Sequence, residues 1–259
     1  MPIGRFVTSL TIIVALGGCT TRTPGPSAST AAAAEADRLR PIVVQGAMEV
    51  EVRDLVAMLD APVEEQVQGW TFWRGTIDGY PVVVSKTFKG MANAAAATAL
   101  AAERYHPAAI INQGTAGGHD PALHVSDIVI GTNAINIGAF KTGTRTKGAG
   151  SDFSEWKPMD LIRTDGSAGQ DPNAWVMRRF PADAALLAAA RDASGSYATG
   201  RVVEGVIASS DVWNSELDRI ARLHDEFDSS VEEMETAAAA QVASVAQVPF
   251  LGVRVLSNN

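Results

Sequence analysis

From Pro41 onwards, short apolar runs rich in β-branched residues alternate with alanine-rich stretches. The short runs predict buried strands, and the spacing of Ala and Leu between them predicts helices. Strands and helices that alternate along a chain are typical of an α/β domain with a largely parallel sheet. The pattern therefore predicts an α/β fold.

Part of this sheet is predicted to be antiparallel, because two apolar runs at 71–77 and 81–85 flank the pair Asp78-Gly79. An Asp-Gly pair between two such runs favours a tight hairpin, in which the glycine accepts a positive φ. We therefore predict a three-layer αβα sandwich with a central mixed β-sheet.

The remaining elements follow from the same periodicities. In chain order, they are a strand at 41–44, helices at 48–59 and 92–105, strands at 108–111 and 125–130, a helix at 182–193, a strand at 202–209, helices at 215–224 and 236–246, and a strand at 250–256. The segment 141–181 is rich in Gly, Ser, Asp and Lys and shows little periodicity, so it is predicted to be a long, functional or mobile loop.

The first forty residues have a different pattern, which is typical of an export signal followed by a linker. Arg5 precedes the apolar run 6–16, which at about 11 residues is too short to span a bilayer as a helix. The run ends in Leu-Gly-Gly-Cys19, which resembles the bacterial lipobox, where diacylglycerol is attached to the Cys sulfur. A plain signal peptide with an incidental cysteine is the alternative.

We therefore predict a lipoprotein signal peptide at 1–18, a flexible tether with lipidated Cys19 at 19–40, and a folded domain at 41–259. The protein is expected to lie outside the bacterial cytoplasm, on the periplasmic side, where the lipid anchors it to a membrane.

Composition and charge narrow the range of partners. The formal net charge of -8 and the absence of a Lys/Arg cluster argue against nucleic acid. Cys19 is the only cysteine, so a disulfide within the chain is excluded. The four histidines are scattered, and no group of side chains has metal-ligand spacing. We predict neither a metal nor an organic cofactor.

A glycine cluster at 112–118 directly follows the predicted strand at 108–111. Open α/β sheets place ligands at the carboxyl ends of their strands, where glycine lets the backbone approach a ligand closely. A tight turn is the structural alternative for this cluster.

Six segments in one order resemble those of the 5′-methylthioadenosine/S-adenosylhomocysteine nucleosidases, which belong to the nucleoside phosphorylase superfamily. They are GAMEVE at 46–51, NQGTAGG at 112–118, VSDIV at 125–129, SSDVW at 209–213, EMETA at 233–237 and VRVLSN at 253–258. The resemblance implies that the protein cleaves the N-glycosidic bond of a purine nucleoside. It also implies a homodimer.

The resemblance assigns the two main acidic roles to Glu235 and Glu51. Glu235 matches the glutamate that accepts hydrogen bonds from both ribose hydroxyls, and Glu51 matches the carboxylate that activates water. The alternatives are ordinary acids in the first turns of two helices, where they would interact favourably with the helix dipole. Nearby Lys86 and Lys89 do not replicate the arginines of phosphorylating relatives, so water is favoured over phosphate.

The remaining site residues are assigned by the same matches. Trp213 stands where the family has a Phe that stacks on the purine, with a core Trp as the alternative. Asn214 would line the base edge through its backbone, and Met234 would pack against the sugar. Glu233 is a weaker candidate that could simply be solvated. The glycine cluster contributes Thr115, Ala116 and Gly117 to substrate binding.

Asn258 departs from the family, which carries an Asp that shares a proton with purine N7. An amide can hydrogen-bond the developing charge but cannot supply a proton. Superfamily members that prefer 6-oxopurines also carry Asn here, so the base could be adenine-like or a 6-oxopurine. A nucleoside-binding protein with weak turnover and a phosphate-dependent phosphorylase remain as alternatives.

Relatives continue through a final helix after this strand, whereas the sequence stops at Asn259. Without such a helix, apolar sheet surface is expected to be exposed, unless the sequence is a fragment or a partner covers that face.

Overall fold

The computed structural model of the protein describes residues 40–159, 161 and 178–259. The predicted signal peptide, Cys19 and almost all of the predicted tether lie outside the described residues, so these assignments stay predictions. Within the described ranges, no helix is both long enough and apolar enough to cross a membrane.

The described chain contains twelve strands and five α-helices. The strands are β1 Ile42–Gly46, β2 Asp60–Val67, β3 Trp70–Ile77, β4 Tyr80–Lys86, β5 Ala109–Gly118, β6 Ile128–Asn136, β7 Phe140–Lys141, β8 Lys157–Pro158, β9 Arg179–Pro181, β10 Val202–Ser209, β11 Ser229–Glu233 and β12 Phe250–Asn258. The helices are α1 Glu49–Ala57, α2 Met91–Tyr105, α3 Ala184–Ala193, α4 Leu217–Phe227 and α5 Thr236–Ala246.

One mixed sheet runs in the order β11-β10-β6-β12-β5-β1-β4-β3-β2, and β9 pairs with β6 at its side. Strands β4, β1, β5 and β12 are parallel neighbours, as are β6, β10 and β11. The two groups run in opposite directions, because β12 is antiparallel to β6. Strand β11 also pairs antiparallel with β5 through their last residues only, so the carboxyl ends of the two groups meet.

Helices cover both faces of the sheet, as predicted. Val82 and Val84 of β4 cluster with Val52 of α1, whereas Val83 between them belongs to the cluster formed with the alanines of α2 and α5. Because successive side chains of a strand point to opposite faces, this division places α1 on one face and α2 with α5 on the other. The α/β fold with a central mixed sheet is therefore confirmed.

The predicted hairpin is present, since β3 and β4 pair antiparallel around Asp78 and Gly79, whose φ angles are 51° and 77°. The strand at 202–209 and the helix at 236–246 have the predicted bounds. Two predicted strands were too short at their carboxyl ends, because β5 continues to Gly118 and β6 to Asn136. The glycine cluster is thus the last part of a strand, and the tight-turn alternative is wrong.

Two further elements differ from the prediction. Strand β2 was not predicted, because it is an exposed edge strand whose charged residues hide the alternation. The segment 141–181 is not entirely loop, since β7 pairs with β8 and β9 pairs with β6. Val253 and Val255 of β12 are half-buried and its other apolar side chains are buried, while the expectation about the wider sheet surface stays a prediction.

Candidate active site

A cavity of about 310 Å³ lies where the carboxyl ends of the two strand groups meet. Its walls come from the turn between β1 and α1, the end of β5, the segment after β10, the turn between β11 and α5, and the end of β12. Ten residues assigned from the sequence line this cavity: Glu51, Thr115, Ala116, Gly117, Trp213, Asn214, Glu233, Met234, Glu235 and Asn258. The fold therefore brings all of them to one place, while their individual roles stay predictions.

Glu51 is held on both carboxylate oxygens. Its Oε2 accepts hydrogen bonds from the backbone N–H groups of Ala47 and Met48, at 2.8 and 3.0 Å. Its Oε1 accepts from the backbone N–H and the hydroxyl of Thr115, at 2.9 and 3.1 Å. A Cβ at position 114 would lie 2.8 Å from Glu51 Oε1, so any larger residue there would displace this carboxylate. The carboxylate therefore bridges the start of α1 and the end of β5.

These contacts show that Glu51 caps a helix as well as lining the cavity. A role in activating water and a structural role in the first turn of the helix are therefore compatible. Glu49 fits only the structural role in the first turn of the helix, because its side chain is 65% exposed and pairs with Lys86. Thr115 is the partner of Glu51 that a water could replace, since a hydroxyl can rotate while a backbone N–H cannot.

Glu235 lies at the N-cap position of α5 and faces the start of α2. Its Oε1 accepts a hydrogen bond from the backbone N–H of Gly90 at 2.8 Å. Burial, followed by the neighbouring Glu233 carboxylate, raises the pKa of Glu235 to about 7, although Arg254 and the Gly90 N–H act in the opposite direction. The Glu51 charge contributes further to the rise in the pKa of Glu235, because the two carboxylates repel each other electrostatically.

Glu233 is not solvated, contrary to one interpretation of its sequence position. It is buried, and its Oε2 pairs with Arg254, whose Nε donates at 3.1 Å. Its carboxylate also accepts from the hydroxyl of Ser209 and from the backbone N–H groups of Glu235 and Thr236. Burial raises the pKa of Glu233, but the Arg254 charge and these hydrogen bonds outweigh it and lower the pKa. Glu233 thus orients the turn that carries Glu235.

Asn258 lies beside Gly117 at the end of β12. A Cβ on Gly117 would come within 3.2 Å of Asn258 Nδ2, so the glycine keeps the amide close to the strand. Asn258 Oδ1 accepts a hydrogen bond from Ser257 Oγ at 2.9 Å. Ser257 Oγ also lies 3.2 Å from the Ala116 carbonyl oxygen, so its single proton is shared and both the oxygen and the NH2 group of Asn258 can still pair with a ligand.

Trp213 lies on the cavity wall but is 82% exposed, so the alternative of a core tryptophan is wrong. Nearby Leu217 is 76% exposed and also lines the cavity. The indole can therefore meet a ring that enters the cavity from solvent. Stacking remains its predicted role.

The charge of the cavity wall is mainly negative. Four carboxylates line it, and they belong to Glu51, Glu232, Glu233 and Glu235. Lys89 is the only lysine or arginine among the described residues on this wall. Lys86 is held elsewhere by Glu49, at 3.0 Å. Such a surface favours a neutral nucleophile over a phosphate dianion.

Two cavity residues, Glu232 and His119, carry chemistry that was not assigned from the sequence. His119 Nε2 lies 2.9 Å from Glu232 Oε2, and both side chains are buried. His119 directly follows the glycine cluster, and Glu232 directly precedes the EMETA segment, so adjacency to matched segments was the available signal. The VSDIV segment has only a structural role, because Asp127 pairs with Arg201 at 2.7 Å, which lowers the Asp127 pKa to about 2.

No three His, Cys, Asp or Glu side chains in the described part of the chain are grouped in a way that could hold a metal ion.

Comparison with known proteins gives consistent results. The profile of the phosphorylase superfamily matches residues 41–259. The 5′-methylthioadenosine/S-adenosylhomocysteine nucleosidase of Bacillus thuringiensis (strain Al Hakam) is 35% identical over 218 residues, which are 84% of this chain and 85% of that protein.

Solved structures of two such nucleosidases have similar folds. The Neisseria meningitidis enzyme in complex with methylthio-immucillin-A superposes with a TM-score of 0.69 at 28% identity, over 85% of this chain and 86% of that one. The Colwellia psychrerythraea enzyme in complex with adenine gives a TM-score of 0.68 at 28% identity, over 85% of this chain and 82% of that one.

Proposed function

The chain belongs to the phosphorylase superfamily, and on this basis we propose that it is a nucleosidase that hydrolyses the N-glycosidic bond of a purine nucleoside. The products are the free base and the sugar. The observation that carries the proposal is the convergence of Glu51, Glu235 and Trp213 on one cavity from three distant parts of the chain.

Cleavage of this bond passes through an oxocarbenium-like sugar, so the site must stabilise positive charge on the ribose. Glu235, when ionised, has two oxygens to accept hydrogen bonds from the ribose hydroxyls. Its link to Gly90 and the buried Glu233–Arg254 pair beneath it hold it in place. Met234 and Glu235, the two residues after β11, thus form the sugar-binding part of the site.

Glu51 serves as the general base for the attacking water. A water that replaces the Thr115 hydroxyl donates one proton to Glu51 while its oxygen bonds to C1′. The electron pair of the broken C1′–N9 bond passes to the purine. Asn258 stabilises that charge by donating from Nδ2 to N7, and the proton that finally neutralises the base comes from solvent.

Water is the proposed nucleophile because the described cavity wall has four carboxylates against one lysine. A phosphorylase would need cationic groups around its phosphate. The second candidate is a nucleoside-binding protein with weak turnover, which is favoured by one observation, the amide at Asn258 in place of an acid.

The test is to incubate the purified domain with methylthioadenosine, adenosylhomocysteine, inosine and adenosine, with and without phosphate, and to measure free base by chromatography. We expect base release that does not depend on phosphate. Glu51→Gln should lower kcat by about two to four orders of magnitude, since a general base typically contributes that much. Glu226→Gln, a substitution on α4 outside the cavity, is the matched control. Binding without base release from any nucleoside would support the second candidate instead.

We further propose that the protein is exported and attached to a membrane through lipid on Cys19, on the periplasmic side. The support is the order of charged, apolar and small residues before the single cysteine.

We also propose a homodimer. The support is the family resemblance together with exposed apolar residues beside the cavity, of which Val212, Trp213 and Leu217 are 43%, 82% and 76% exposed. Light scattering of the purified domain tests this, and a monomer at micromolar concentration would contradict it.

A further inference from the structure

The start of helix α2 holds two carboxylates on neighbouring backbone N–H groups. Glu235 Oε1 accepts from the Gly90 N–H at 2.8 Å, and Asp211 Oδ1 accepts from the Met91 N–H, also at 2.8 Å. The first N–H groups of a helix have no partner within the helix, and the helix dipole favours negative charge there. The carboxylate proposed to hold the ribose therefore shares one helix end with Asp211.

The turn before α2 has a strained backbone that depends on its contacts. Gly90 has a φ of 100°, in the left-handed region that residues with a side chain rarely adopt. A Cβ at this position would lie 3.1 Å from Asp211 Oδ1 and would crowd the carboxylate. Phe88 also has a positive φ, of 64°, which is unusual for a bulky residue. Such conformations persist only where the surrounding structure holds them.

Asp211 belongs to the segment proposed to meet the base. It follows β10 and precedes by two residues Trp213, which is predicted to stack on the purine. The backbone N–H of its neighbour Ser210 donates to the Glu233 carbonyl oxygen at 3.1 Å, so this segment is tied to the end of β11. Asp211 ties the same segment to α2. Its contact therefore connects the base-binding and sugar-binding parts of the site.

We propose that Asp211 is a positioning residue for the reaction, which couples the base-stacking segment to Glu235. By holding the Met91 N–H, it keeps the neighbouring Gly90 N–H directed at the Glu235 carboxylate. The inference rests on the proposed nucleosidase function and deepens it. Asp211 is exposed and is not part of the described cavity wall, so it acts through Glu235 and does not touch the substrate.

The ionisation of Glu235 reports on this arrangement. The charged groups around it come from β11, β12, α1, the turn before α2 and the segment after β10, and they are Glu233, Arg254, Glu51, Lys89 and Asp211. Burial, followed by Glu233, raises the pKa of Glu235, and the Gly90 N–H lowers it. Loss of the Gly90 contact should therefore raise this pKa, whereas loss of the Asp211 charge alone should lower it, since like charges disfavour ionisation.

Two substitutions separate the contact from the charge. Asp211→Asn removes the charge but keeps an oxygen that can accept from the Met91 N–H, whereas Asp211→Ala removes both. We expect Asp211→Ala to lower kcat/KM at pH 7 about tenfold and to raise the midpoint of its pH profile by about half to one pH unit. Loss of the contact dominates there, because solvent screens the exposed charge. Asp211→Asn should restore most of the activity, with a midpoint no higher than that of the wild type.

A second pair of variants tests the donor. Met91→Pro removes the N–H that Asp211 accepts, and proline is favourable at the first position of a helix. We expect it to raise the midpoint as Asp211→Ala does, and the two effects should not add in the double variant. Met91→Leu keeps the N–H and is the matched control. Asp225→Ala, which removes an exposed carboxylate of α4, should also keep the wild-type profile.

The pKa of Glu235 can also be measured without turnover, by an NMR titration of protein labelled with carbon-13 at the glutamate carboxyl groups. Glu235→Gln assigns the signal. A raised pKa in Asp211→Ala, without cleavage of any nucleoside, would disprove the nucleosidase function but support the positioning role. Base release with the same midpoint in the wild type, Asp211→Ala and Met91→Pro would overturn the inference and leave the nucleosidase function intact, even if activity falls. If Asp211→Ala does not fold, Met91→Pro decides.

Discussion

At the scale of single residues, the charge of Glu235 decides whether the sugar can be held. Its pKa of about 7 means that the carboxyl is half protonated near neutral pH in the free protein. We expect kcat/KM to rise as pH increases through about 7, because only the ionised form accepts two hydrogen bonds from ribose. A pH profile between 5.5 and 8.5 measures this, and a flat profile would contradict it.

The same carboxyl links stability to pH. Its pKa lies above the ordinary value of 4.5 because burial and the Glu233 charge disfavour ionisation. The contribution of Glu235 to stability is therefore greatest below about pH 4.5 and is lost as pH rises through about 7. Glu235→Gln changes the free energy of unfolding relative to the wild type. We expect this change to be more stabilising at pH 8 than at pH 5, by about 1–3 kcal/mol. Urea titrations at both pH values test this, and an equal effect at both would count against it.

Asn258 sets how charge on the leaving base is neutralised. In Asn258→Asp, a carboxylic acid could donate a proton to N7, which the amide cannot do. We expect kcat for adenosine to rise at least about tenfold. Gln68→Glu, an exposed change in the turn between β2 and β3, controls for the added negative charge. Unchanged or lower turnover in Asn258→Asp would show that the amide does not limit the reaction.

At the scale of elements, the turn between β11 and α5 depends on the buried pair of Glu233 and Arg254. Removal of one partner leaves the other charge buried and uncompensated, so Arg254→Met should lower the free energy of unfolding by about 3–5 kcal/mol. The exposed pair of Arg191 and Glu204 provides a matched control, and Arg191→Met should cost less than about 1 kcal/mol. Chemical denaturation of both variants tests the difference, and similar losses would refute it.

At the scale of the whole molecule, the proposed anchor separates the enzyme domain from the membrane by a tether. Cys19→Ser removes the sulfur to which we propose that lipid is attached, so the protein should move from the membrane fraction to the soluble fraction. Ser27→Ala in the tether should remain in the membrane fraction. Immunoblots of fractionated cells and labelling with a fatty acid provide the measurement, and soluble wild-type protein would contradict the anchor.

The elements with clear periodicity could be predicted from the sequence alone. The strand at 202–209 and the helix at 236–246 have their predicted bounds, because apolar patterning depends on local spacing. Elements governed by distant contacts were not predicted. Strand β11 has the sequence SSVEE, and Glu233 at its end is buried because Ser209 of β10 and Arg254 of β12 supply its partners.

The matched segments were enough to predict which residues line the cavity, since each of the ten assigned side chains lies in or next to one of those segments. Their arrangement around the cavity depends on the folded chain. The meeting of β5 and β11 at their carboxyl ends places Glu232 and Asn258 on opposite sides of Gly117 and buries Glu235 next to Glu233. Burial and charge separation depend on distances in space between residues far apart in the chain, and no local pattern encodes those distances.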